Sequence, residues 1–367
     1  MTRRKQLLLF ILLILLCLQL PFVVALYRTH RVYRYLAAWP VVDAPDPPFR
    51  DVRGGIHIHS AAGGHSLGTY LEIIEAAKQC GYQYAFITEH PKAQKLFQQL
   101  TNPDVIMIYG WDEQQGAAGE MLCTEDRSIC FQSGEDRPVA QYAKGLEVFN
   151  LHRSAVLRDS WFNRISFFYH RILHPELYFF KLWEIDRSYF RTWDRELLSR
   201  RLTGIGGSDA HQNIGIVLQT TSGHRLFRLM VDPYSESFTA VTTHVFLFPD
   251  ETLSRDAVLA SLVRGSVYIA FEKLADPTGF SFHAIEDGKP KPMGSTVRPG
   301  ARLVAHAPRQ AEFHLIHNGE VSKTVTGPSF ETEAATPGFY RLEVYPPDPP
   351  APIEGKPWII SNPIFVR

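Results

Sequence analysis

The chain has 367 residues, 45% hydrophobic and 12% aromatic, with 38 basic residues against 38 acidic ones and a pI near 7.3. That length exceeds a single small module, the apolar fraction excludes a disordered chain, and the balanced charge excludes the basic footprint of a nucleic-acid binder. The compositional feature that points to chemistry is the 15 histidines, which are unevenly placed.

Arg3, Arg4 and Lys5 precede an almost wholly apolar run from Leu7 to Leu26. Such a run, at the helical rise, just spans a hydrocarbon core of ~30 Å. The pattern predicts a signal-anchor or transmembrane segment over residues 1–27, with the membrane as a partner and the body outside the cytoplasm, in the periplasm or at the cell surface. Cleavage after Ala25 is the alternative. Pro40, Pro45, Pro47 and Pro48 predict a proline-rich linker over 28–50, extended where the prolines cluster.

From residue 51 the chain alternates β-like runs with helical patterns, which predicts an α/β domain with largely parallel strands over 51–275. Gly55 to His59 alternates apolar residues with histidine, so a regular strand would put both imidazoles on one face. Thr69 to Cys80 reads as a helix with Leu71, Ile74 and Ala77 on its inner side and Gly81 as its stop. Further strands end at Glu89-His90, at Asp112-Glu113, at Asn150 with His152 just beyond, and at Asp209-x-His211. The segment from Ser160 to Arg201 is rich in Trp, Phe and Tyr and predicts helices that cover the domain, a lid, or a bilayer contact. Ser254 to Arg264 reads as an amphipathic helix. Residues 276–367 turn to short strands with Gly and Pro turns and predict a small β-sandwich.

Each polar cluster falls where an apolar run stops. In parallel α/β folds the carboxyl ends of strands meet on one face, so these residues converge. Transition-metal ions require nitrogen and oxygen donors held near 2.0–2.2 Å. His57, His59, His65, His90, Asp112, Glu113, His152, Asp209 and His211 are the candidate ligands. Glu89 and Glu147 are further ligands or acceptors for histidine N–H groups. Asp112 and Asp209 are the candidate catalytic acids, Asp209 orienting the attacking water, while Lys92 and Arg153 are placed to clamp an anionic group. Mixed N and O donors suit divalent Zn, Mn or Fe rather than Ca or Mg, and paired ions would activate water for hydrolysis. Cys123 and Cys130 flank a polar turn and are either a disulfide or two buried thiols. No nucleophile elbow surrounds Ser60 or Ser208, and no cysteine pair has zinc-finger spacing.

Gly54-Gly55-Ile56-His57-Ile58-His59-Ser60, His65, Phe86 to His90, Gly110-Trp111-Asp112, Gly145 to Asn150, and Gly207 to His211 together resemble the PHP (polymerase and histidinol phosphatase) domain. Asp276 to Phe280 and Trp358 to Ile364 are similar to the sandwich of its CehA/McbA-like branch. The resemblance implies a distorted (β/α)7 barrel, a divalent metal centre and hydrolysis of a small-molecule phosphoric ester by a metal-bound hydroxide attacking phosphorus. Other members of the branch imply carboxylic or carbamic esters, and a binding module that keeps its metal without catalysis is a third reading. The family's third-strand glutamate is Asp112 here, and no histidine lies between His90 and His152. One or two ions are therefore expected rather than three, with Glu120 standing at one of the vacated positions.

Overall fold

The computed structural model describes residues 3–43, 45–64, 66–91, 102–133, 137–157, 180, 183–213, 215–219, 225–230 and 232–367. His65, Lys92 and most of the aromatic segment after Ser160 lie outside them.

Arg3–Ala38 form one helix, α1, which among the described residues is the one helix long and apolar enough to cross a membrane, and its apolar window is 0% buried. The helix does not end with the apolar run. Val32, Tyr35, Leu36 and Trp39 recur at i, i+3, i+4 and i+7 and pack on the C-terminal sheet. The Trp39 Nε1–H donates to the Gln310 carbonyl at 2.5 Å, and the Tyr35 hydroxyl donates to that of Pro347. Residues 28–38, expected in the linker, are thus helical because an apolar stripe docks them. After Trp39 the described residues up to Phe49 are not helical, and Val41 makes a single β-bridge to Arg309.

In chain order follow β1 (Arg50–Val52), β2 (Gly54–Ile58), α2 (Tyr70–Gln79), β3 (Tyr84–Glu89), β4 (Ile106–Gln114), β5 (Glu120–Thr124) and β6 (Cys130–Ser133). Then come β7 (Gly145–Asn150), α3 (Leu151–Leu157), α4 (Arg187–Leu197), β8 (Thr203–Ala210), β9 (Gly215–Gln219), β10 (Arg225–Met230), α5 (Tyr234–Ala240) and β11 (Thr242–Leu247). After α6 (Arg255–Arg264) the elements are β12 (Val267–Ala270), β13 (Ser281–Glu286), β14 (Lys289–Pro292), β15 (Thr296–Val297), β16 (Ala301–His317), β17 (Glu320–Ala334), β18 (Gly338–Tyr345), β19 (Ile359–Ser361) and β20 (Ile364–Val366).

Strands β2 to β8 close into a seven-stranded barrel in chain order, β8 pairing with β2. Five of its pairings are parallel, whereas β4–β5 and β5–β6 are antiparallel, which is the distortion of the barrel. Cys123 and Cys130 face each other across β5 and β6 and form a buried disulfide. Ile56, Tyr84, Phe86, Ile108, Leu122, Phe131 and Ile205 are fully buried and share one apolar core with α6. At about 1.5–3 kcal/mol for each large side chain, that core fixes the barrel on which the polar rim is mounted. Helix α2 starts with a Thr69–Glu72 capping box and ends before Gly81 at φ +70. It buries Ile73, Ile74, Ala76 and Ala77, while Leu71, expected inward, is exposed.

The strands after residue 279 form one eleven-stranded sheet that also takes β1, β11 and β12. The join is β12 on β19, through Tyr268↔Ser361 and Ala270↔Ile359, so the hydrogen-bonded sheet runs across residue 275.

Candidate metal centre

The rim at the carboxyl ends of the parallel strands is where the backbone departs from regular geometry. His57 and Asp209 both have positive φ, 63° and 47°, which is uncommon for residues other than glycine. Ile56 pairs with Gly207 while Ile58 pairs with Ala210, so β2 and β8 are both irregular at these residues. Bulges of this kind re-aim side chains beside functional sites. His57 in β2 and His59 just past its end meet through this bulge, not through regular alternation, and their ring centroids are 5.0 Å apart.

His57 Nδ1 lies 2.8 Å from Glu147 Oε1, and Glu147 Oε2 accepts from the Ser133 hydroxyl at 2.6 Å and from Asn150 Nδ2 at 3.1 Å. This bracing turns the other nitrogen inward. His57 Nε2 stands 3.4 Å from Asp209 Oδ1, 3.6 Å from Asp112 Oδ2 and 3.7 Å from Glu120 Oε1. His59 Nε2 stands 3.2 Å from Asp209 Oδ1 and 3.7 Å from Asp112 Oδ2. The His59 and His211 rings stack at 4.4 Å. Gly207 is required here, because a Cβ on it would come within 1.7 Å of Glu147 Oε1.

Two overlapping donor triads result, His57–His59–Asp112 and His59–Asp209–His211, each with its donor atoms within 4.8 Å of one another. Ligands at about 2.1 Å from one ion in tetrahedral array are roughly 3.4 Å apart. The spacings above fit that distance. His57 Nε2 and Asp209 Oδ1 are buried with no hydrogen-bond partner among the described residues. Orphaned buried polar atoms are costly, and a divalent cation between them satisfies both.

The electrostatics agree with this fit. Burial lowers the pKa of His59 to about 4 and that of His211 to about 3, which keeps both imidazoles neutral. Burial also disfavours protonated His57, but Asp209 and Glu147 outweigh it and raise its pKa well above the usual value. Burial works against ionised Asp209, and the His57 charge holds it well below the carboxylate range all the same. A cation would displace the proton on His57, so metal binding releases protons. Burial raises the pKa of Glu120 to about 8, with Asp112, Glu147 and Asp209 adding to the effect against His57.

The remaining expected residues divide. His90 sits at the mouth, its Nδ1 3.0 Å from the Asp112 carbonyl and 3.4 Å from Asp112 Oδ2. His152 is exposed, its ring 5.2 Å from that of His211. Arg153 reaches the rim through Glu120 Oε2 at 3.4 Å and the Tyr189 hydroxyl at 3.1 Å. Glu113 does not join the site. It follows Asp112 on β4 and so faces the opposite side, where Arg127 holds it in a two-pronged ion pair at 2.9 Å. Glu89 is buried against Ser60, whose backbone N–H donates to its Oε1 at 2.9 Å. Glu120 is brought in by topology: β5 is antiparallel to β4, so its first residue reaches the rim where neighbouring strands bring their last.

No protein-family model and no curated protein matches the chain. Among solved structures, it is similar to a Bacteroides vulgatus ATCC 8482 two-domain protein described as containing a predicted PHP-like metal-dependent phosphoesterase. The likeness has 13% identity and a TM-score of 0.36, over 83% of this chain and 93% of that one. It is also similar to PsfC from Pseudomonas syringae PB-5123, at 12% identity and TM-score 0.36, over 61% of this chain and 94% of that one.

Proposed function

We propose that the protein is a membrane-anchored, metal-dependent hydrolase of phosphoric esters. The observation that carries the reading is the pair of donor triads sharing His59, with two buried donor atoms lacking any partner among the described residues. Divalent Zn, Mn or Fe, held by His57, His59, Asp112, Asp209 and His211, would polarise a phosphoryl oxygen and lower the pKa of water. His90 and His152 border the mouth. Glu147 orients His57 through Nδ1, and Asn150 Nδ2 donates to Asp209 Oδ2 at 3.3 Å, fixing that carboxylate. Arg153 presents a guanidinium beside the pocket, suited to bind an anionic ester oxygen. The apolar helix α1 supports anchoring, and the buried Cys123–Cys130 disulfide supports a body in an oxidising compartment outside the cytoplasm.

The test is turnover of p-nitrophenyl phosphate and of its bis-ester with added Mn or Zn. Turnover that a chelator stops, and that His59→Ala loses, is expected. Faster cleavage of aryl carboxylic esters would move the substrate class. Metal retained without any turnover would leave a binding module.

A further inference from the structure

A cleft of about 810 Å³ lies between α4 and the sheet, walled by Arg187 and Arg191 on one side and by Glu312, His314 and Tyr345 on the other. A smaller hollow of about 470 Å³ is lined by Arg31, Arg34 and Tyr35 of α1 and by Asp348, Pro349 and Pro350. Asp348 and Pro349 line both, so the two hollows meet there. Neither includes a residue of the metal centre. Helix α4 is the partition: Arg187, Phe190, Arg191 and Asp194 line the cleft, whereas Tyr189, on the opposite face, meets Arg153 at the metal rim.

The position of this groove along α1 is informative. Arg31 lies five residues past Leu26, about 7 Å beyond the apolar run at the helical rise. The headgroup layer of one leaflet is roughly 5–7 Å deep. Side chains on a helix tilt toward its N-terminus, so Arg31 and Arg34 lean back toward that layer. Val32, Tyr35 and Trp39 clamp the same helical segment to the sheet, so the groove mouth is held over it.

The charges of the outer hollow are two exposed guanidiniums, Arg31 and Arg34, and one carboxylate, Asp348, at its junction with the cleft. Farther in the signs are mixed, Glu312 and Glu354 standing with Arg187 and Arg191. A purely anionic ligand of the outer hollow would meet Asp348, and a purely cationic one would meet Arg31 and Arg34. A phosphate followed by a primary ammonium matches both, the ammonium donating to the Asp348 carboxylate. We propose that this juxtamembrane groove binds the phosphoethanolamine headgroup of a membrane phospholipid, a site separate from the metal centre. The proposal rests on the reading that α1 is a membrane anchor.

The test is native mass spectrometry of the full-length protein in detergent, offered phosphatidylethanolamine, phosphatidylcholine or phosphatidylglycerol. Phosphatidylethanolamine should be retained about tenfold better than the other two, the scale of one charge-assisted hydrogen bond. The double variant Arg31→Ala, Arg34→Ala should lose about that factor, and Asp348→Asn should abolish discrimination against phosphatidylcholine. Equal retention of all three lipids, or unchanged retention in the double variant, would overturn the site. Displacement by soluble phosphoethanolamine at the same concentrations would overturn a lipid source in favour of a free phosphoester. Alkaline carbonate extraction separates the two levels. Protein that pellets without lipid preference sinks the groove alone, whereas protein released to the supernatant sinks the anchor and the groove together.

Discussion

Two clusters of buried charge lie on opposite faces of α4 and follow opposite rules. On the cleft side, Arg341 is 2% exposed and gives two bonds of 2.8 Å to Asp194 and one of 2.8 Å to Glu343. Glu343 also accepts from Arg187 at 2.7 Å and from the Tyr345 hydroxyl. Burial disfavours ionised Glu343, yet Arg341 and Arg187 outweigh it and bring its pKa down to about 2. On the barrel side, Asp112, Asp209, Glu120 and Glu147 converge on imidazoles, and Arg153 touches that group at Glu120. Paired charges lock elements together, whereas converging donors with orphaned atoms make a place for an added cation.

The contrast is broken most sharply at Arg341. Arg341→Met leaves Asp194 and Glu343 as buried carboxylates short of a partner and should cost about 3–5 kcal/mol in chemical denaturation. A loss below about 1 kcal/mol would mean that the cluster is not a lock.

A second paired cluster sharpens the comparison through pH. His244 Nδ1 faces Asp51 at 2.9 Å and Nε2 faces Glu272 at 3.2 Å, so both ring nitrogens meet carboxylates. Burial opposes its protonation, but Asp51 and Glu272 prevail and raise the pKa to about 9. With the folded value above the unfolded one, the stabilisation is complete below about pH 6.5 and is lost as pH climbs through about 9. That window corresponds to roughly 3 kcal/mol at 1.36 kcal/mol per unit. Denaturation at pH 6.5 and pH 9.5 should show this loss in the parent protein and not in His244→Gln. An equal loss in both would contradict the pairing.

The smallest effect on folding belongs to the metal rim. Glu147→Gln should weaken metal affinity by 10–100-fold, read by calorimetric titration, because it loosens the orientation of His57. Stability of the metal-free protein should change far less than in Arg341→Met. If the two variants lose similar stability, the rim is another structural cluster and the contrast fails.

What the sequence disclosed follows from local chemistry. Apolar runs ending in His, Asp or Glu marked the rim strands, and Thr69, Gly81 and Ser254 marked helix ends. The misses have long-range causes. Glu113 was a ligand candidate because adjacency in sequence hides the alternation that turns it toward Arg127. Glu120 came to the site through the resemblance alone, because deriving it from the residues requires knowing that β5 runs antiparallel to β4. The helical extension of α1 was masked by the prolines after it, although Val32, Tyr35, Leu36 and Trp39 already carried the stripe. The left-handed backbone at His57 and Asp209 was not legible, because His and Asp adopt it more readily than most residues yet only in a small minority of cases.

The measurement closest to the central claim is elemental analysis of the full-length protein, purified without chelator and washed, alongside His59→Ala. His59 belongs to both triads. The parent should retain about one to two equivalents of Zn, Mn or Fe per chain, and the variant should lose most of this with its circular dichroism unchanged. No retained transition metal in the parent, or equal retention in the variant, would contradict the account.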